Sequence, residues 1–281
     1  MKKIFKNYKM FLLVPVLMIT FSLLILFNNY IQTGEWFERS FELTGGTLIT
    51  LDLKEPIDIK RVEDVVSEYD VNVREIRSFS GHSILIQTRE DVNATKIIDD
   101  IKKSGIKITQ FSIQKIGPSL GESFWRQTQI AVVLAFVFMS IIVFLLFRTS
   151  LPSLYVILSA VSDILVTLAV MQLLDIELSL AGLGALLMLM GYSIDTDILL
   201  TTRFMKTSDP FGERLRSALK TGLTMSMTTL GALVALLISS ISPLLTQIAT
   251  VLLIGLLVDI VMTWMQNSVL LRWYMESKGL I

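Results

Sequence analysis

Six long apolar runs constrain the fold of this chain more than any other feature of its sequence. About 20 apolar residues form a helix that crosses the ~30 Å hydrocarbon core of a bilayer, and a helix satisfies its own backbone hydrogen bonds there. Hydrophobic residues make up 52% of the chain, which is high for a soluble domain. The sequence therefore predicts an α-helical polytopic membrane protein with six transmembrane helices. The runs cover residues 10–30, 128–147, 153–174, 179–204, 217–240 and 244–272.

The composition argues against several classes of function. The formal net charge is zero, so the chain has no basic field that would attract nucleic acid. It contains no cysteine, which excludes disulfides, zinc–thiolate sites and iron–sulfur clusters. Its one histidine, His82, lies in "SFSGHSIL", a stretch typical of a hairpin turn. We expect no cofactor, no metal site, no catalytic residue and no enzymatic activity.

Lysine and arginine predict the orientation in the membrane, because these residues favour the cytoplasmic side. The first run is expected to be an uncleaved anchor, since a signal peptide has a shorter apolar region and a small-residue cleavage site. The predicted organisation is a cytoplasmic N-terminus with the first helix (1–30), an extracytoplasmic domain (31–126), a five-helix bundle (127–273) and a cytoplasmic tail (274–281). The basic residues that support it are Lys2, Lys3, Lys6, Lys9, Arg148, Arg203, Lys206, Arg214, Arg216, Lys220, Arg272 and Lys278.

The segment between the first two runs has the patterning of a small α+β domain. Its apolar residues alternate in four places and follow a helical stripe in two, and Asp58 is the expected N-cap of the first helix. The order βαββαβ is that of the ferredoxin-like split unit. The predicted strands are 45–53, 71–79, 82–88 and 106–116, and the predicted helices are 58–69 and 93–105.

Four aspartates lie inside the predicted spans: Asp163, Asp195, Asp197 and Asp259. Each ionised carboxylate there costs ~2.5–3.5 kcal/mol on the insertion scale. Polar contacts between membrane helices return only ~0.6 kcal/mol on average, so helix packing alone explains these residues poorly. Asp163, Asp195 and Asp259 are expected at one depth, facing one another, whereas Asp197 points about 200° away from Asp195. This pattern favours carboxylates that bind and release protons.

Five motifs carry a resemblance to a known family. "GYSIDTDILLTTR" (191–203), with Gly191, Tyr192 and Arg203, resembles the fourth-span signature of the SecF family of protein-export membrane proteins. "ELTGGT", with Gly45 and Gly46, is similar to the glycine motif that follows the first span of that family. The further motifs are "IGPSLG" (116–121), "SDILVTL" (162–168) and "TMSMTTL" (224–230).

The resemblance is to archaeal-type members of the SecD/SecF family, which belongs to the RND superfamily. It implies a six-span partner of SecD that assists the Sec translocon channel (SecY/SecE-type) in moving preproteins across the cell membrane, driven by the proton motive force. Asp195 matches an aspartate of the related SecD motif, while Thr196 stands where bacterial SecF members have an aspartate. Asp195 is therefore the leading candidate for the proton relay, with Asp163, Asp197 and Asp259 as its further members.

Three other functions share some of these features. An RND-type half-transporter for small molecules or lipids would also use membrane carboxylates that bind and release protons, but it would act with a different partner. An intramembrane aspartyl protease would need GxGD and YD elements, but Tyr192-Ser193-Ile194 precedes Asp195 and Val161-Ser162 precedes Asp163. A purely structural scaffold leaves the aspartates unexplained. The sequence does not choose between protons and sodium ions, and it does not give the stoichiometry with SecD.

Overall fold

The structure is a computed structural model, and the elements it contains follow the predicted order closely. The predicted N-cap Asp58, Ser80 of the hairpin turn and the basic residues before Met10 lie outside the described residues. His82 falls second in the third strand. The structure describes residues 10–53, 57, 59–69, 71–78, 81–88, 92–206, 210–239 and 242–279.

Ten α-helices and four strands make up the described part of the chain. A π-helical segment, Met262–Asn267, joins the last two helices. In chain order the elements are α1 (Leu13–Thr33), α2 (Phe41–Thr44), β1 (Gly46–Leu53), α3 (Ile59–Val66), β2 (Val71–Ser78), β3 (Gly81–Thr88), α4 (Ala94–Lys103), β4 (Ile108–Ile116), α5 (Pro118–Phe147), α6 (Ser150–Leu173), α7 (Leu180–Lys206), α8 (Phe211–Ser239), α9 (Pro243–Val261) and α10 (Ser268–Ser277).

Six helical segments of the described chain are long and apolar enough to cross a membrane: α1, α5, α6, α7, α8 and the continuous run from α9 to α10. The predicted number of helices long and apolar enough to cross a membrane is thus confirmed for the described residues. Two of them begin six or more residues earlier than predicted. The α5 helix begins at Pro118 rather than near residue 128, because proline is well suited to the first position of a helix. The α8 helix begins at Phe211 rather than residue 217.

One compact unit, Arg39–Ile130 with Leu236–Thr246, contains the four-stranded sheet. The strand order is β2-β3-β1-β4, and each neighbouring pair is antiparallel. Ile49 of β1 lies opposite Ile86 of β3 and Ile113 of β4. The helices α3 and α4 cover the face that carries Ile49 and Ile86, because Val62 and Ile97 pack into the same core.

The α4 helix shows how local sequence fixes its start. The side-chain oxygen of Asn93 accepts a hydrogen bond from the backbone N–H of Thr95, at 3.1 Å. This contact caps one of the N–H groups that the first turn of a helix leaves without a partner. The helix therefore begins at Ala94, one residue inside the predicted range 93–105.

The rest of the chain forms the second unit, which contains the greater part of the membrane helices. The α6 helix is the most enclosed of them. It packs on α5 and α7 through a cluster that includes Val143, Ala160 and Met190. Near the C-terminal end of α7, Phe204 packs with Ala218 of α8 and with α10. These contacts hold α6 and α7 in a fixed rotation toward each other, which decides which of their polar residues meet.

Candidate functional site

Three of the four membrane aspartates meet inside the helix bundle. Asp163 comes from α6, Asp197 from α7 and Asp259 from α9, and each is at most 1% exposed. Asp163 and Asp197 each lie near enough to Asp259 to interact with it electrostatically. We call these three residues the buried acidic cluster.

Each carboxylate of the buried acidic cluster has one strong hydrogen-bond donor from the chain. Ser193 donates to Asp163 Oδ2 at 2.5 Å. Thr263 donates to Asp259 Oδ1 at 3.0 Å. The Asn267 amide donates to Asp197 Oδ1 at 2.6 Å. Among the described residues, no lysine or arginine forms an ion pair with any of the three carboxylates.

One oxygen of each carboxylate in the buried acidic cluster has no hydrogen-bond partner among the described residues. These oxygens are Asp163 Oδ1, Asp197 Oδ2 and Asp259 Oδ2, and no donor in the part of the chain that the structure describes reaches them. A buried carboxylate that lacks a cation and has an unused oxygen is costly when it is ionised, and a proton removes that cost. The arrangement is therefore chemically suited to binding and releasing protons. Further buried hydroxyl and amide side chains on α6, α7 and the π-helical segment are Ser159, Ser162, Thr167, Thr201 and Gln266.

Asp195 does not join the buried acidic cluster. It is exposed on the opposite face of α7, which it shares with Gly191 and Tyr192. The prediction that Asp195 faces Asp163 and Asp259 is thus wrong, and Asp197 takes that place. Residues two apart on a helix point about 200° away from each other, so only one of the pair can turn inward. Whether Asp195 carries a proton stays a prediction.

Three residues of the last span complete the site, and they were not predicted from the sequence. Thr263, Gln266 and Asn267 are all buried, and all lie in the π-helical segment. Gln266 donates to Ser162 of α6 at 3.3 Å. The signal available in the sequence was the pair of adjacent amide residues, Gln266 and Asn267, that ends "MTWMQN" inside an apolar span.

The motif that contains Gly45 and Gly46 packs against the motif at residues 116–121, where β1 and α5 begin. Gly45 has φ 82°, and a β-carbon there would lie 2.6 Å from Pro118 Cα. A β-carbon on Gly121 would overlap the backbone of Gly45. Gly46 has φ 144°, and a β-carbon there would lie 2.7 Å from the Thr88 carbonyl oxygen. The motifs "GGT" and "GPSLG" therefore form one packed joint between the start of β1 and the start of α5.

Arg203 is exposed in the last turn of α7. It lies eight positions beyond Asp195 along the helix, a separation of about 12 Å. Gly191 and Gly184 have open space where a β-carbon would project. This exposed face of α7 thus combines small residues with an aspartate inside a predicted membrane span.

The fold and the site define a multi-pass membrane protein with an acidic cluster in its helix bundle and a separate α+β unit. Residues 96–277 match the family model "Protein export membrane protein SecD/SecF, C-terminal". The chain is 38% identical to the protein-export membrane protein SecF of Methanocaldococcus jannaschii, over 97% of each chain. It is also 38% identical to SecF of Pyrococcus furiosus, over 96% of this chain and 92% of that protein. The chain belongs to the SecD/SecF family of protein-export membrane proteins.

Two solved structures have a similar fold. The crystal structure of SecDF, a translocon-associated membrane protein from Thermus thermophilus, gives a TM-score of 0.78 at 20% identity and covers 96% of this chain. The super-membrane-facing form of SecDF gives a TM-score of 0.61 at 18% identity and covers 95% of this chain. This chain spans only 38% of each of those longer chains.

Proposed function

We propose that the protein is the SecF subunit of a SecD–SecF complex and assists Sec-dependent export of preproteins across the cytoplasmic membrane, driven by the proton motive force. The family membership supports the export role. The observation that carries the proton-driven part is the buried acidic cluster, with three carboxylates and no basic partner among the described residues. In this proposal the chain performs no covalent chemistry, and the work comes from ion movement.

The exposed position of Asp195 supports a partner within the membrane. A carboxylate that faced lipid in mid-span would cost ~2.5–3.5 kcal/mol or more. A second helix bundle against this face of α7 would enclose Asp195 and supply polar groups to it. SecD is the proposed partner, with Gly191 and Gly184 allowing its helices to approach closely.

The four aspartates would then form two layers of one relay. Asp195 exchanges the proton at the interface with SecD, and the buried acidic cluster lies behind it across α7. Each proton that crosses a potential of 100 mV releases ~2.3 kcal/mol. That gain recurs with every cycle and is comparable to the cost of keeping one carboxylate in the membrane.

The sheet unit is proposed to lie outside the cell membrane as a ferredoxin-like domain, with both chain termini in the cytoplasm. Its element order and the strand order β2-β3-β1-β4 support that class, and Arg148, Arg203 and Arg272 support the orientation. We expect the domain to bind or guide the preprotein near the SecY/SecE-type channel. The strand β4 lies at the edge of the sheet, where Phe111 and Ile113 are 48% and 42% exposed. An open strand edge can pair with an extended chain.

The test is copurification from native membranes, followed by an export assay. SecD should copurify with the tagged chain, and vesicles that contain the pair should export a preprotein faster when a proton gradient is imposed. Vesicles without this chain should lose the stimulation. Recovery of the chain without SecD, together with gradient-driven uptake of small molecules or lipid, would favour the half-transporter instead.

A further inference from the structure

The last membrane segment is interrupted by the π-helical turn Met262–Asn267. A π-helical turn accommodates one extra residue, and such turns occur often at functional sites. No proline lies in the segment to explain the interruption. The turn falls directly beside the buried acidic cluster, because Thr263 and Asn267 are hydrogen-bonded to two of its carboxylates.

The extra residue of the π-helical turn keeps Asp259 and Asn267 on the same side of the last membrane segment. Five buried residues recur every four positions through this segment: Asp259, Thr263, Asn267, Leu271 and Met275. In a continuous α-helix each four-residue step advances by about 40°, so Asn267 would lie about 80° around the axis from Asp259. One extra residue in the turn subtracts about 100°, which brings Asn267 to within about 20° of Asp259.

This rotation lets one short segment contact three helices. Asn267 bonds to Asp197 of α7 at 2.6 Å, and Gln266 bonds to Ser162 of α6 at 3.3 Å. The ring of Trp264 lies against Gly222 of α8, where a β-carbon would overlap it. The orientation of Asn267 is therefore fixed by the packing of its neighbours.

We propose that Asn267 is a positioning residue for the proton relay. The π-helical turn brings the amide of Asn267 to Asp197. Its amide N–H holds Oδ1 of the ionised carboxylate and leaves Oδ2 as the oxygen that receives a proton. The proposal rests on the proposed function, since it assigns Asn267 a part in the same relay.

The experiment is an infrared pH titration of the purified SecD-bound chain, in which a protonated carboxyl shows a C=O band. The band of Asp197 is the one that is missing in Asp197→Asn. In Asn267→Leu, which keeps the volume and removes the donor, this band should persist to a pH higher by about 1 unit, a tenfold change in proton affinity. Gradient-stimulated export should fall about tenfold in the same variant.

Gln266→Met is the matched control, because it removes a neighbouring buried amide that contacts Ser162 rather than a carboxylate. It should titrate like the wild type. If Asn267→Leu does not assemble, Asn267→Ser decides, because a short hydroxyl bonds its own helix and leaves Asp197 without the donor. A wild-type titration in either assembled variant would overturn the proposal. If a proton gradient does not stimulate export by the wild type, the proposed function is refuted instead. The result of the titration would still stand.

Discussion

Substituting Gly45 by alanine should destabilise the sheet unit more than alanine does at Gly105 or Gly121, because Gly45 combines a positive φ with a close backbone contact. Gly45 has φ 82° and ψ 157°, a region that costs other residues about 1–3 kcal/mol. The new β-carbon would also lie 2.6 Å from the backbone Cα of Pro118, and overpacking of this kind costs about 1–3 kcal/mol. The two effects together predict a loss of at least about 2 kcal/mol, or about 8–16 °C in melting temperature for a domain of this size.

The assay is the temperature at which β1 becomes open to thermolysin in the purified chain. Two control variants separate the causes. Gly105→Ala has the positive φ, 85°, with no atom within 4 Å of the new carbon. Gly121→Ala overlaps the backbone of Gly45 without the positive φ. Both should melt between the wild type and Gly45→Ala. If Gly45→Ala melts no lower than Gly105→Ala, the close approach to Pro118 does not exist.

Two further predictions concern the sheet unit. The hydroxyl of Tyr69 donates to Asp100 at 2.7 Å and, with Lys103, holds the pKa of Asp100 below its ordinary value of 3.8. A lowered folded-state pKa stabilises the fold above pH 3.8, and this is lost as the pH falls through the folded-state value. Tyr69→Phe should therefore raise the pKa of Asp100 in an NMR titration and lower the melting temperature at pH 7 but not at the acid limit; an unchanged pKa would contradict this. Deleting residues 40–118 with a short linker should leave membrane insertion intact and impair secretion, whereas normal secretion would remove the domain from the mechanism.

The sequence predicted the spans and the α+β elements well because both depend on local properties. Apolar length marks a membrane helix wherever its neighbours lie, and alternation marks a strand such as β1 without knowledge of its partners. The residues at which the helices begin were less predictable. Pro118 begins α5 well before the apolar run, since its first turns are polar and only proline marks their start.

The composition of the site depended on packing that no local pattern records. Asp195 and Asp197 are equally plausible inward residues on α7, and the rotation of that helix against α6 and α9 selects Asp197. Asn267 reaches the cluster only because the π-helical turn shifts the helix by about one residue. The joint between Gly45 and Gly121 likewise brings together positions that the whole α+β domain separates in sequence.

The central proposal, that protons passing through Asp195 drive export, is tested most directly in membrane vesicles with and without an imposed proton gradient. The variants are Asp195→Asn, Asp197→Asn and the control Asp175→Asn, whose aspartate is exposed in the link between α6 and α7. Gradient stimulation should disappear in Asp195→Asn and persist in Asp175→Asn, with SecD still bound in both. Stimulation that survives in Asp195→Asn and disappears only in Asp197→Asn would contradict the proposal and assign proton exchange to the buried acidic cluster alone.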